Sequence, residues 1–152
     1  ADMMPLLEIY TGAGVVTGHN FPFFMKFKGG KGIAATGGMI IAFDAMCLAL
    51  GLLTFFGAFL TTHYVSLGSL LVYAGFMIEI VILGQLGHFG MTQPHLIEMY
   101  IVVFFMTVMA YMKHKENIKR LITGTERKTY LSKKKQDEQR VMQASKELEG
   151  AN

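Results

Sequence analysis

Between Lys31 and Lys113 this 152-residue chain carries no lysine or arginine, and the only acids in that interval are Asp44, Glu79 and Glu98. Few water-soluble folds leave so long a stretch without a basic residue. From Lys113 onward the balance reverses, with eleven basic and six acidic residues in the last forty. An apolar block without basic residues, followed by a basic tail, is the pattern of a membrane domain with a cytoplasmic end. Composition agrees: 52% of residues are hydrophobic, only 16% are charged, and the mean hydropathy is +0.39. These values exclude an ordinary soluble domain. The net charge of +3 does not point to nucleic acid, because no aromatics are interleaved with the tail's basic residues.

Four apolar stretches follow Lys31, over residues 33–43, 45–60, 64–86 and 96–112, and an earlier one covers 3–18 despite Glu8. The stretch 64–86 is long enough to span a bilayer unaided, since a span needs about 20 residues. Parity fixes the rest. Lys26, Lys28 and Lys31 mark one cytoplasmic segment and the tail marks another, so an even number of crossings must separate them. A single helix over 33–60 gives three crossings and buries Asp44 in mid-membrane. A break at Asp44 gives four. Breaks are therefore expected at Asp44, at 62–64 and at 87–94, where Gly87, Gly90 and Pro94 form turns. The fold class expected is an all-α membrane protein: a polytopic helical bundle of about five transmembrane segments with a basic cytoplasmic C-terminal tail. Its division is a membrane bundle over 1–113, a cytoplasmic segment over 114–128 and a charged tail over 129–152. Glycines 32, 37, 38, 51, 57, 68, 75 and 84 read as close-packing positions between helices, and Cys47 as a small hydrophobe. Nothing resembles a signal peptide.

Three segments carry chemistry. In the first, Lys28-Gly29-Gly30-Lys31-Gly32 runs directly into a helix. Its glycines let the backbone approach a ligand and present N–H groups to an anion, and the helix start adds positive potential. It is not a Walker A loop, since Lys31 is followed by Gly32 rather than Ser or Thr. The same residues also suit a plain topology anchor. In the second, Ser66 and Ser69 can donate to an anion or bond back to their own helix. In the third, His114, Asn117 and Leu121 share a face of a helix continuing from the last span, with Glu116 and Arg120 beside them. Taken alone it also reads as an interfacial amphipathic helix. The histidines at 19, 63, 88, 95 and 114 lack metal-ligand spacing, so neither a metal nor another cofactor is expected.

The run GHNFPFFMKFKGGKGIAATGG closely resembles the second signature of the PlsY family, the acyl-phosphate-dependent glycerol-3-phosphate acyltransferases. THYVSLGS is similar to that family's Thr-Arg-Tyr-Val-Ser-Leu-Ala-Ser segment, and HKENIKRLITGTERK to its third signature. The resemblance covers residues from about 13 to 128, in the family's order. It implies seven transmembrane helices, of which about five are represented here, in a bacterial plasma membrane with the active site and the C-terminus cytoplasmic. It implies transfer of an acyl group from acyl phosphate to glycerol 3-phosphate, giving lysophosphatidic acid. Lys31 and the amides of Gly29, Gly30 and Gly32 would hold a phosphate, with Lys28 a weaker candidate, and Ser69 would contact the acyl-phosphate head. His114 and Asn117 would orient the acceptor hydroxyl, with Ser66, Glu116 and Arg120 in support. Either His114 or the substrate's own phosphate would take the proton.

The family's first signature, a Ser-Gly-Asn-x-Gly-Ala-Thr-Asn loop, has no counterpart in the chain, nor do its two flanking helices. The chain starts at Ala1, and the expectation is an incomplete active site, inactive alone, partnered by missing N-terminal helices of the same protein. His63 stands where the family usually has Arg, and Ala35-Thr36 replaces the more usual Thr-Ala or Thr-Ser order. The competing readings are a small anion transporter fragment, which would want ionisable groups lining a path through the bilayer, and a non-enzymatic membrane subunit, which leaves the three segments without a role.

Overall fold

The computed structural model describes residues 3–26, 29–130 and 133–150. Within them are seven α-helices and one 3-10 turn: α1 Met4–Asn20, the turn Phe23–Met25, α2 Ile33–Phe43, α3 Ala45–Thr62, α4 Val65–Gln85, α5 Gln93–Lys113, α6 Lys115–Ile122 and α7 Lys133–Gly150. The apolar interval is divided at the three expected places. Three of these helices, α3, α4 and α5, are long and apolar enough to cross a membrane among the described residues, and α2 is a shorter apolar helix.

The break at Asp44 has a local cause. Its backbone is extended (φ −155°, ψ 132°), and its Oδ1 accepts the N–H groups of Met46 and Cys47 at 2.9 Å each. This is a side-chain N-cap, so Asp44 starts α3 rather than continuing α2. Its Oδ2 lies 3.0 Å from His88 Nε2 in the α4–α5 turn. Burial pushes the Asp44 carboxyl up, but the His88 contact and the two N–H bonds outweigh it and hold the group below its ordinary value. At the other break His63 adopts a left-handed conformation (φ 61°) and its carbonyl accepts the Thr129 N–H at 2.8 Å.

These contacts sort the bundle into two ends. The α2–α3 and α4–α5 turns meet at one, through Asp44 and His88. The end of α1, the start of α2, the α3–α4 turn and the α5–α6 junction lie at the other. Helix α1 packs on α2 and α5, and α4 on α3 and α5. The core holds Ile9, Val16, Cys47, Ile80, Met99 and Val103. The outer faces are as apolar as the core, with Leu53 70% and Phe105 66% exposed. Such a surface is unstable in water and suited to hydrocarbon.

Not all the glycines pack as expected. A Cβ at Gly68 would press on Phe55, and one at Gly84 would collide with the Tyr100 hydroxyl, but Gly37, Gly38, Gly51 and Gly57 face open space. Two of those, Gly37 and Gly51, border a groove described below.

Candidate active site

The second end of the bundle gathers the three chemical segments. Gly29 and Gly30 lie against the end of α1. A Cβ at Gly29 would collide with the His19 carbonyl and come 2.7 Å from that of Asn20, and one at Gly30 would come 2.6 Å from His19 Nε2. Only glycine lets the segment lie this close. Gly32 follows with φ 75° and is the N-cap of α2. From between them the exposed Lys31 reaches across, and its Nζ donates to Asn117 Oδ1. Lys28 lies outside the described residues.

α5 does not continue into α6, as the spacing of His114, Asn117 and Leu121 suggested. It breaks at His114 (φ −98°, ψ 7°), which is 0% exposed. His114 Nδ1 sits 2.8 Å from the Ala110 carbonyl. A carbonyl only accepts, so Nδ1 carries the hydrogen and Nε2 is left as a lone-pair acceptor. Nε2 is buried and has no partner among the described residues. Burial drives the His114 imidazole below its ordinary value; Lys31 acts in the same sense, and Ala110 and Glu126 only partly oppose it. The ring is therefore neutral at pH 7. The Tyr73 ring meets it edge-on with centroids 6.3 Å apart, and the Tyr73 hydroxyl is 2.8 Å from Thr36 Oγ1.

Glu126 was not singled out in the sequence, although it lies within the third signature. Its Oε1 accepts from Ser66 Oγ at 2.7 Å and Asn117 Nδ2 at 2.8 Å, and its Oε2 from Arg120 Nε at 2.7 Å. Burial raises this carboxyl, but the three donors more than offset that and hold it below its ordinary value. Gly124 makes the arrangement possible. Its φ of 69° ends α6 with the Thr125 N–H on the Arg120 carbonyl, and the chain turns back along the helix. Lys31, Asn117 and Glu126 thus form a continuous hydrogen-bonded row, with Ser66 and Arg120 fixing its far end. Glu116 is exposed.

Ser69 is placed differently. Its hydroxyl donates back to the Val65 carbonyl at 2.9 Å, and it lines a cavity of about 230 Å³ among α2, α3 and α4 with Ile33, Thr36, Phe55 and Tyr73. This groove is almost wholly apolar. Its wall at Tyr73 is shared with His114, so the polar row and the apolar groove adjoin.

Both titrations predict acid sensitivity. A group whose folded pKa is depressed contributes stability that is lost as pH falls from its unfolded value through its folded one. His114 should begin to destabilise the fold below about pH 6.5, and Glu126 below about 4.5. Thermal melting followed against pH should show both limbs, and Glu126→Gln should flatten the lower one. A melting temperature constant from pH 7 to 4 would contradict this description of the site.

The sequence model of a family described as glycerol-3-phosphate acyltransferase matches residues 2–124. The chain belongs to that family. A glycerol-3-phosphate acyltransferase of Thermotoga petrophila is 37% identical over 133 residues, which cover 86% of this chain and 61% of the relative. One of Salinibacter ruber is 34% identical over 125 residues, covering 82% and 53%. Two crystal structures of PlsY, an integral membrane glycerol 3-phosphate acyltransferase, match the fold with TM-scores of 0.69 and 29% identity. They represent its glycerol 3-phosphate and lysophosphatidic acid forms; each match covers 80% of this chain, with 56% and 57% of the respective structures. The chain thus spans about six-tenths of the length of its first curated relative, and it is a membrane protein of this family.

Proposed function

We propose that this end of the bundle transfers an acyl group from acyl phosphate to the 1-hydroxyl of sn-glycerol 3-phosphate, giving lysophosphatidic acid and inorganic phosphate. The observation that carries the reading is the neutral, buried, unpartnered Nε2 of His114 beside Lys31 and Asn117 and next to an apolar groove. Acyl phosphate is a mixed anhydride with a good leaving group, so the site has mainly to align two substrates and neutralise charge. Lys31 and the Gly29–Gly32 backbone hold a phosphate. Nε2 accepts the hydrogen of the acceptor hydroxyl, whose oxygen attacks the acyl carbonyl. The new C–O ester bond forms, the anhydride C–O bond breaks, and the proton ends on the released phosphate. The fatty chain lies in the groove.

The arrangement of charges supports an orientation. The end bearing Lys31, Lys113, Lys115, Lys119 and Arg120 is the basic one, and residues 32–112 have no lysine or arginine. That distribution supports a cytoplasmic position for this end and the C-terminus in a bacterial cell, with the helices crossing its plasma membrane several times. Because the chain spans only part of its relatives, the reading includes a contribution to the second phosphate site from segments matching the remainder.

The test is acyl transfer from a long-chain acyl phosphate to radiolabelled glycerol 3-phosphate in nanodiscs. It should be run on the 152-residue chain and on a form carrying the remaining family segments. Lysophosphatidic acid should form in the second case and not the first. No product from either would end the proposal, and full activity from the first would remove its appeal to further segments.

A further inference from the structure

Helix α2 starts without a side-chain cap, because its N-cap is Gly32. The first amide to bond back is that of Thr36, to the Gly32 carbonyl at 2.8 Å, so the N–H groups of Ile33, Ala34 and Ala35 point out of the helix start. Directly beside them is Asn20, the last residue of α1. It is 0% exposed, and both its side-chain Oδ1 and Nδ2 are buried without a partner among the described residues. Buried amides are almost always satisfied, so an orphan of this kind calls for a ligand or a role. The backbone of Asn20 is already engaged, its carbonyl accepting Lys113 Nζ at 2.7 Å. Only the side chain is unused.

Gly32 decides where that side chain can go. A Cβ at this position would lie 2.7 Å from Asn20 Oδ1 and 3.1 Å from Nδ2. Any other residue would therefore stand between the Asn20 amide and the start of α2. With glycine, nothing stands between the Asn20 amide and the helix start with its three bare N–H groups, next in sequence to Lys31.

We propose that the Asn20 side-chain amide is a further donor to the phosphate held at the N-terminus of α2. Lys31 supplies charge to that anion and Asn20 a directional neutral hydrogen bond. This rests on the phosphate-binding part of the function proposed above, and names a residue to which that reading gave no role.

Two measurements on purified protein in nanodiscs, carrying the remaining family segments, test it. In the unmodified protein, the Asn20 side-chain NH₂ resonances should move as inorganic phosphate or glycerol 3-phosphate is titrated in. Second, Asn20→Leu, an apolar residue of similar size, should melt at a higher temperature because it removes a buried orphan. The same variant should bind glycerol 3-phosphate about ten-fold or more weakly, as expected for losing a hydrogen bond to a charged group. A purely structural Asn20 would not give this opposition of stability and affinity. Asn20→Asp should bind more weakly still, since it offers a like charge. Static Asn20 resonances, or unchanged affinity in Asn20→Leu while Lys31→Ala binds weakly, would overturn the Asn20 assignment and leave the Lys31 site standing. Absence of binding by the unmodified protein would remove both.

Discussion

Lys31→Ala should reduce acyl transfer by about two to three orders of magnitude, the scale on which loss of one aligned charge-stabilising donor is felt. Lys31 is held at the edge of the site by its bond to Asn117 and stands one residue from the helix start that presents free N–H groups. An alanine leaves those groups in place but removes the positive charge. Lys146→Ala, a change at an exposed position of α7, should leave turnover unaltered, because a solvated charge away from the motifs contributes little. Steady-state rates of both variants in the form carrying the remaining family segments provide the comparison. Equal effects would reduce Lys31 to an anchor for the membrane boundary.

The second large effect is expected at Glu126, a residue that touches no substrate in the mechanism above. Its carboxylate takes three donors from three parts of the chain, Ser66, Asn117 and Arg120. Glu126→Ala would strand the buried Ser66 and Asn117, while Arg120 is exposed enough to turn to water. Leaving such groups without a partner costs roughly 1–3 kcal/mol, and Asn117 would lose the restraint that aims its Oδ1 at Lys31. A fall in turnover of about ten- to a hundred-fold is expected, with a lower melting temperature. Glu126→Gln keeps an acceptor and should recover much of the stability, and part of the rate. That partial rescue separates positioning from simple unfolding. Wild-type turnover in Glu126→Ala would show that the row ends at Asn117.

The contrast between Asp44 and Glu126 shows which features the sequence makes legible. Asp44 interrupts an apolar run, and its capping bonds go to residues two and three positions on, so the break follows from local chemistry. The turn at 87–94 is equally local. Lys31, His114 and Asn117 were legible because their motifs are short and the parity of crossings brings them to one end. Glu126 depends instead on a reversal at Gly124 and on Ser66, sixty positions away, and no local pattern signals that pairing. The break at His114 was hidden because a three- and four-residue spacing is satisfied on either side of it. Asn20 passed as part of a quoted motif, since burial without a partner is a property of packing alone. The glycines misled in part: small residues suit close helix contacts, but Gly37 and Gly51 serve a groove instead.

The brevity of α2 bears on how a lipid reaches this site. Its 11 residues make about 16 Å of helix, against a hydrocarbon layer of about 30 Å. Its far end is tied to the α4–α5 turn through Asp44 and His88, and part of the shortfall lies at the Lys31 end. Thr36, three residues into α2, is level with Tyr73, eight residues into α4. At ~1.5 Å per residue, α2 therefore begins about 7 Å below the start of α4. The backbone proposed above to bind phosphate would then lie below the start of α4, toward the hydrocarbon. Lifting an acyl tail from the bilayer into water costs about 0.8 kcal/mol for each methylene exposed. Under the function proposed above, a sunken site would avoid that lift: a fatty substrate would enter sideways with its tail still in oil, while a water-soluble acceptor would descend to meet it.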